Sequence, residues 1–283
     1  MHLLITGAAG RLGSLIAERE AARGHQVTGV DLPVLDITNF EATRTFILRN
    51  RPDLIIHAAA WTDVDGCARD PERALRVNGY GTQHVALAAA EAGAELLYVS
   101  TNEVFDGQRG EPYHEYDVPS PANPYAYSKW VGEQAVRQSA QRHYVVRTSW
   151  LFAHGGRNFV QSILGAAANG KALRVVTDEV ANPTYTNDLA EAISALIATG
   201  RYGTYHLVNT GFCSRYEFAR AVLDCAGYAS LPVQPITSRE WPRPSTPPPY
   251  SPLINSAGPL AGVTLRPWQE ALTAFLEHEG LLA

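Results

Sequence analysis

A glycine-rich turn near the start of the chain restricts the possible folds more than any other feature. Gly7, Gly10 and Gly13 follow one another at intervals of three, between an apolar run and an amphipathic segment. In such a turn the first glycine allows a tight bend, the second lets the backbone approach a pyrophosphate, and the third lets the helix pack on the sheet. The free N–H groups at the helix start attract phosphate. The turn predicts a dinucleotide-binding unit, and an ordinary βα turn is the alternative.

Alternating strand and helix signals extend this unit through the first half of the chain. Apolar runs typical of buried parallel strands recur at 3–5, 26–30, 53–57, 96–100 and 144–147. Helical patterns recur at 12–22, 40–48, 74–92 and 125–138. This alternation predicts an α/β fold, a Rossmann-type doubly wound parallel sheet. We expect that domain at residues 1–150, with returning segments from the later chain, and a small substrate-binding lobe mainly at 151–283.

Composition excludes several classes of protein. Of the 283 residues, 46% are hydrophobic, which excludes disorder over most of the chain. A net charge of −5 argues against a nucleic-acid partner. The chain has neither a membrane-length apolar run nor a signal-peptide pattern, and its three widely spaced cysteines suggest neither a disulfide framework nor a metal site. We therefore expect a cytoplasmic protein with no membrane partner and no metal.

Two proline-rich stretches are expected to be loops. The segment 107–124 contains two glycines and four prolines, which indicate a loop. A loop of this length usually covers a site. The segment 232–252 holds eight prolines, which exclude a regular helix or a central strand. We expect it to be an ordered loop of the C-terminal lobe.

Two features bear on the choice of nicotinamide cofactor. Asp31 ends the second strand, where a carboxylate can accept both ribose hydroxyls of adenosine, and this favours NADH. Arg11 lies on the glycine turn and could reach the 2′-phosphate of NADPH, unless it is a solvated surface residue. Asp36 and Ile37 could hold the adenine edge, although an acidic helix start is an equal alternative for Asp36.

Tyr125 and Lys129 are the leading catalytic candidates. They are four residues apart on one face of a helix that Asn123 can cap. Lys129 is one of only two lysines beside 21 arginines, so lysine is not the default surface cation of this chain. A nearby ammonium is expected to lower the pKa of the Tyr125 phenol, which could then protonate a carbonyl oxygen as hydride reaches the carbon. An exposed helix lysine is the alternative.

A hydroxyl completes this set. Thr101 follows the fourth strand, and ligands of open α/β sheets bind outside the carboxyl ends of the strands. Its hydroxyl could bond the substrate carbonyl and the tyrosine, whereas a strand-end turn residue is the alternative. The expected catalytic residues are Thr101, Tyr125 and Lys129.

The glycine turn, the strand-end hydroxyl and the Tyr-x-x-x-Lys pattern, in this order, resemble an extended short-chain dehydrogenase/reductase. More narrowly, the chain resembles the dTDP-4-dehydrorhamnose reductase (RmlD-like) family over nearly its whole length, in the segments 57–65, 70–72, 77–82, 100–107, 147–150, 182–185 and 205–208. The resemblance implies an NADH- or NADPH-dependent reduction of the 4-keto group of a dTDP-4-keto-6-deoxyhexose, which gives dTDP-L-rhamnose.

The resemblance also implies roles for individual residues. Residues 10–12 would contact the pyrophosphate, residues 58–60 would line the nicotinamide-ribose side, and Trp150 would contact the sugar unless it is a core tryptophan. The expected cofactor-binding residues are Gly7, Gly10, Arg11, Leu12, Gly13, Asp31, Asp36, Ile37, Ala58, Ala59, Ala60, Tyr125 and Lys129. The expected substrate-binding residues are Thr101, Asn102, Glu103 and Trp150.

Several segments depart from the family pattern. Asn102 and Glu103 stand where Asp-Tyr is usual, and 248–252 replaces a usual Arg-Pro-x-Asn-Ser. Of the carboxylates that hold Mg²⁺ at a dimer contact in some relatives, only Asp188 has a counterpart, so no metal is carried over. Three arginines are candidates for phosphate contacts, although solvated surface positions are favoured for them: Arg215, Arg239 and Arg243.

Two other functions stay open. The chain also resembles the regulatory subunit of methionine adenosyltransferase, a non-catalytic NAD(P)-binding protein of the same fold, because Asn102 stands where that subunit has Asn and the reductases have Asp. A sugar-nucleotide epimerase or dehydratase of the wider family is the second alternative. A nucleotide-sugar substrate is expected for the enzyme, and a homodimer is left open.

Overall fold

Strands and helices alternate along the first half of the chain in the computed structural model, which describes residues 1–156 and 158–283. The strands are β1 (His2–Thr6), β2 (Gln26–Val30), β3 (Leu54–His57), β4 (Glu95–Thr101), β5 (His143–Thr148), β6 (Leu151–Phe152), β7 (Leu173–Val176), β8 (Val180–Ala181), β9 (Thr184–Tyr185), β10 (Gly203–His206), β11 (Cys213–Ser214) and β12 (Val233–Ile236). The α-helices are α1 (Arg11–Ala22), α2 (Phe40–Asn50), α3 (Val64–Arg69), α4 (Pro71–Ala74), α5 (Gly81–Ala92), α6 (Pro124–Ser139), α7 (Phe159–Ala168), α8 (Thr186–Ile197), α9 (Arg215–Cys225), α10 (Ala257–Leu260) and α11 (Trp268–His278).

Six strands form the central sheet in the order β10–β5–β4–β3–β1–β2, and every pairing in it is parallel. The chain runs outward from β1 to β2 and then returns to β3 on the other side of β1. Such a reversal of strand order opens a crevice at the carboxyl ends of the strands, where α/β proteins bind ligands. The predicted doubly wound parallel sheet is therefore confirmed.

Both faces of the sheet are covered by helices, which explains why its strands are apolar without alternation. Leu3 and Ile5 of β1 pack with Leu189 of α8 in one core, whereas Leu4 packs with Ile47 of α2 in the core on the opposite face. All five side chains are fully buried. β1 lies between β3 and the edge strand β2, so the glycine turn that follows β1 lies at the carboxyl edge of the sheet, beside the end of β2.

The later chain contributes to two cores. Its own core is built from α7, α9 and α11, around aromatic residues such as Phe152, Phe218 and Phe275. It also returns α8 and β10 to the central sheet. The domain boundary near residue 150 stays a prediction.

Two details differ from the sequence-based expectation. The helix expected at 74–92 begins earlier, at Pro71, and a π-helical turn at Leu75–Tyr80 divides it. The segment 107–123 is a loop as expected, while 232–252 includes the short strand β12, which pairs only with β7 at an edge where Pro235 is tolerated. Among the helices of the described ranges, none is long and apolar enough to cross a membrane.

Candidate active site

One cavity of about 920 Å³ opens at the carboxyl edge of the central sheet. It extends from the glycine turn, past the ends of β2 to β5, to the first turn of α9. All of the expected site residues line it: Gly7, Gly10, Arg11, Leu12, Gly13, Asp31, Asp36, Ile37, Ala58, Ala59, Ala60, Thr101, Asn102, Glu103, Tyr125, Lys129 and Trp150. The cavity therefore brings together residues that are far apart in the sequence.

The glycine turn fits the phosphates of a dinucleotide. Gly7 has a φ of +74°, and a Cβ there would lie 2.6 Å from the Ala59 backbone nitrogen. A Cβ on Gly13 would lie 2.2 Å from the Gly7 carbonyl oxygen, so α1 packs too closely for any side chain. Gly10 is the N-cap of α1, and no side chain caps the helix. The N–H groups of its first turn are therefore available to an anion.

The carboxylate of Asp31 is fixed beside this turn. Its two oxygens accept hydrogen bonds from the backbone N–H groups of Ala9, at 3.1 Å, and Leu32, at 2.8 Å. Asp36 lines the cavity, but one of its oxygens accepts from both the N–H and the hydroxyl of Thr38. Asp36 is not the start of a helix, because α2 begins at Phe40 and is capped by Asn39. Its contact with the adenine edge stays a prediction.

The helix that carries Tyr125 and Lys129 begins as the sequence predicts. The Asn123 side-chain oxygen accepts from the Ala126 N–H at 2.8 Å and caps α6. Tyr125 is 9% exposed and Lys129 is 3% exposed, and both line the cavity. The alternative of an exposed helix lysine is therefore wrong.

The prediction that Lys129 lowers the pKa of Tyr125 is also wrong. The pKa of Tyr125 is raised, first by burial and then by the Glu103 carboxylate, while the hydrogen bond with the Thr101 side chain opposes the shift. Lys129 donates from Nζ to the Val99 carbonyl oxygen at 2.7 Å. Burial lowers the pKa of Lys129 to about 7, against the attraction of Glu133. The Tyr125 phenol is consequently protonated at neutral pH, and the phenolate form is disfavoured.

The two residues after Thr101 depart from the family pattern and are both held by later segments. Asn102 donates from Nδ2 to the Ser251 hydroxyl at 2.7 Å. Glu103 accepts from the Asn123 side-chain amide at 2.8 Å, and burial raises the pKa of its carboxyl group. Glu103 thus connects the end of β4 to the N-terminus of α6.

A buried ion pair lies beneath the site, and no local pattern in the sequence predicts it. The Arg147 guanidinium donates to both carboxylate oxygens of Glu133, at 2.9 and 2.8 Å. The Ser100 hydroxyl donates to the same carboxylate at 2.7 Å. The side chains of Arg147 and Glu133 are 1% and 0% exposed. The pair joins α6, β4 and β5 directly below the cavity.

The Trp150 side of the cavity contains a second departure from expectation. Trp150 has a φ of +40°, and the guanidinium of Arg215 stacks 3.5 Å from the centre of its ring. Arg215 lines the cavity, so the solvated surface position favoured for it is wrong. Arg243 instead pairs with Asp65 at 3.0 Å, and Arg239 is exposed. A signal local to Arg215 could not have distinguished these three arginines, because only tertiary packing places α9 against β6.

The comparisons with known proteins agree with this geometry. The family model described as RmlD substrate binding domain matches residues 1–280. The chain belongs to this family. It is 40% identical over 282 residues to the dTDP-4-dehydrorhamnose reductase of Mycobacterium tuberculosis, covering 97% of this chain and 92% of that protein.

Two further relatives widen the comparison. The spore coat polysaccharide biosynthesis protein SpsK of Bacillus subtilis is 36% identical over 276 residues, which cover 98% of this chain and 97% of SpsK. A crystal structure of dTDP-4-dehydrorhamnose reductase from Bacillus anthracis, in complex with NADP, is 37% identical with a TM-score of 0.92 and covers 98% of this chain and 99% of that chain. The likeness to this family therefore extends over nearly the whole chain.

Proposed function

We propose that this protein is an NADH- or NADPH-dependent reductase of a nucleotide-linked 4-keto-6-deoxysugar, namely a dTDP-4-dehydrorhamnose reductase that forms dTDP-L-rhamnose. One observation carries the proposal. Thr101, Tyr125 and Lys129 line the same cavity as a glycine turn that fits a dinucleotide. The relative from M. tuberculosis bears this name, and the relative from B. anthracis has NADP bound.

The residues of the chain can carry out the proton half of a carbonyl reduction. A bound reduced nicotinamide would supply hydride to the keto carbon. The raised pKa of Tyr125 keeps its phenol protonated at neutral pH, so that it can donate to the carbonyl oxygen. Thr101 lies within hydrogen-bonding reach of that phenol and orients it. Lys129 would hold the ribose of the bound nicotinamide.

The test of the function is NADH and NADPH oxidation with 4-ketosugars linked to dTDP, UDP and GDP. We expect turnover with the dTDP sugar, and we expect Tyr125→Phe to lower the turnover roughly 10²- to 10⁴-fold. Tyr127→Phe is the matched control, because Tyr127 lies on the same helix but is 48% exposed and outside the cavity lining. An unchanged rate in Tyr125→Phe would remove that residue from the mechanism.

The same assay separates the alternatives. Cofactor binding without oxidation with any sugar would support a regulatory subunit. Tightly bound cofactor that is regenerated without net turnover would support an epimerase or dehydratase. We further propose a cytoplasmic location, since the three cysteines are all free. Analytical ultracentrifugation tests whether the protein forms a homodimer.

A further inference from the structure

A guanidinium without hydrogen bonds lies in the wall of the cavity. Arg215 is the first residue of α9, and its side chain is 23% exposed. The group stacks on the ring of Trp150 at 3.5 Å and lies 5.1 Å from the ring centre of Phe159. Stacking of this kind covers the faces of the planar group and leaves its edge, which carries the N–H donors, for another partner.

The neighbours of Arg215 do not use those donors. The closest carboxylate oxygen belongs to Glu179 and lies 3.7 Å from Nε, beyond hydrogen-bond distance. Within residues 1–156 and 158–283, the guanidinium makes no hydrogen bond. Burial lowers the pKa of Arg215 to about 10, so the group remains charged at neutral pH. The carboxylates of Glu179 and Glu103 attract this charge without accepting from its N–H donors, so the donors remain available to the acceptor atoms of a ligand.

The charges around the cavity also favour an anion. Although the chain has a net charge of −5, the described cavity lining contains more cationic side chains than carboxylates. The carboxylates of Asp31 and Asp36 lie at the end of β2, whereas Glu103 is the acidic residue on the Trp150 side. Glu179 is not part of the lining. Lys129 is already bonded to a backbone carbonyl, so Arg215 is the better placed cation for a ligand on that side.

We infer that Arg215, held flat against Trp150, binds a phosphate group of the nucleoside diphosphate part of the substrate. The planar guanidinium presents two parallel N–H donors that match phosphate oxygens. Trp150 fixes the plane of the guanidinium, and Glu179 holds it from outside the cavity lining. The identity of the nucleotide rests on the proposed function, whereas the phosphate contact rests on the geometry of Arg215.

The experiment compares the binding of dTDP and thymidine, which differ only in the diphosphate. Titration calorimetry measures dTDP, and ligand-observed NMR measures the weaker thymidine. We expect Arg215→Gln to weaken dTDP about 10- to 100-fold and to change thymidine less than about twofold. Arg215→Lys keeps the charge and should recover part of the loss. Arg243→Gln is the matched control, because it removes a nearby arginine that is outside the cavity lining and paired with Asp65.

Three results would overturn the inference. Equal weakening of dTDP and thymidine would mean that Arg215 only positions Trp150. Unchanged binding of both ligands would mean that Arg215 has no role, and so would a wild-type protein that binds dTDP no more tightly than thymidine. If Arg215→Gln does not fold, as judged by circular dichroism and by NADH binding, the same comparison is made with Arg215→Lys, where a loss confined to dTDP is required.

The comparison remains informative if the proposed function is wrong. A wild-type protein that does not oxidise NADH or NADPH with a dTDP ketosugar disproves the function. If that protein still prefers dTDP to thymidine, and Arg215→Gln abolishes the preference, the phosphate site stands alone. If the enzyme is active but Arg215→Gln retains the preference, the function stands and the phosphate site is wrong.

Discussion

Removing the carboxylate of Glu133, which is buried beneath the site, should destabilise the protein. In Glu133→Gln, Arg147 keeps its charge but loses the carboxylate that now accepts two of its hydrogen bonds. Breaking a buried pair in this way costs about 3–5 kcal/mol of unfolding free energy, because it leaves an uncompensated buried charge. For a chain of this size, a loss of that magnitude lowers Tm by roughly 6–10 °C.

The matched control is Glu91→Gln. Glu91 also pairs with an arginine, Arg44, but both side chains are more than a third exposed. Exposed pairs contribute little, so we expect a far smaller change in Tm. Both variants are measured by scanning calorimetry and far-ultraviolet circular dichroism. A drop in Glu133→Gln no larger than that in the control would refute the role assigned to the buried pair.

The pH dependence provides a second readout of the same substitution. Burial acts to raise the pKa of Glu133, but Arg147, Ser100 and Arg137 together outweigh it, so this pKa lies below its ordinary value of 4.5. A depressed carboxyl pKa contributes stability above the unfolded pKa and loses it as the pH falls through the folded pKa. The difference in Tm between the wild type and Glu133→Gln should therefore be full at pH 7 and begin to close below about pH 4.5.

The remaining predictions concern the cofactor. Lys129 has a pKa of about 7, so its positive charge is lost as the pH rises through neutrality, and the affinity of the free protein for NADH should fall between pH 6 and 8.5. Lys129→Met should weaken NADH binding and abolish this pH dependence in a fluorescence titration; a variant that retains the wild-type profile would exclude Lys129 as its source. Asp31→Ser removes a carboxylate from the cavity wall and should shift the NADPH-to-NADH affinity ratio toward NADPH by about tenfold. An unchanged ratio would mean that Asp31 does not bind the adenosine ribose of the cofactor.

Local spacing along the chain is enough to predict several features of this protein. The glycine turn, the strand–helix alternation and the cap at Asn123 all arise from residues within a few positions of one another, and their geometry follows from steric limits and hydrogen bonding. The same is true of Tyr125 and Lys129, which a helix places on one face. These features are sufficient to predict the fold class and the glycine turn, Tyr125 and Lys129 as parts of the cavity lining.

Tertiary structure decided the electrostatics and the composition of the substrate side. The pKa of Tyr125 depends on burial and on Glu103, 22 positions earlier, and not on the lysine one turn away. Arg215 reaches Trp150 only because α9 packs beside β6. Burial and Coulomb interactions depend on distances in space, and those between residues far apart in sequence exist only once the sheet and both cores have formed.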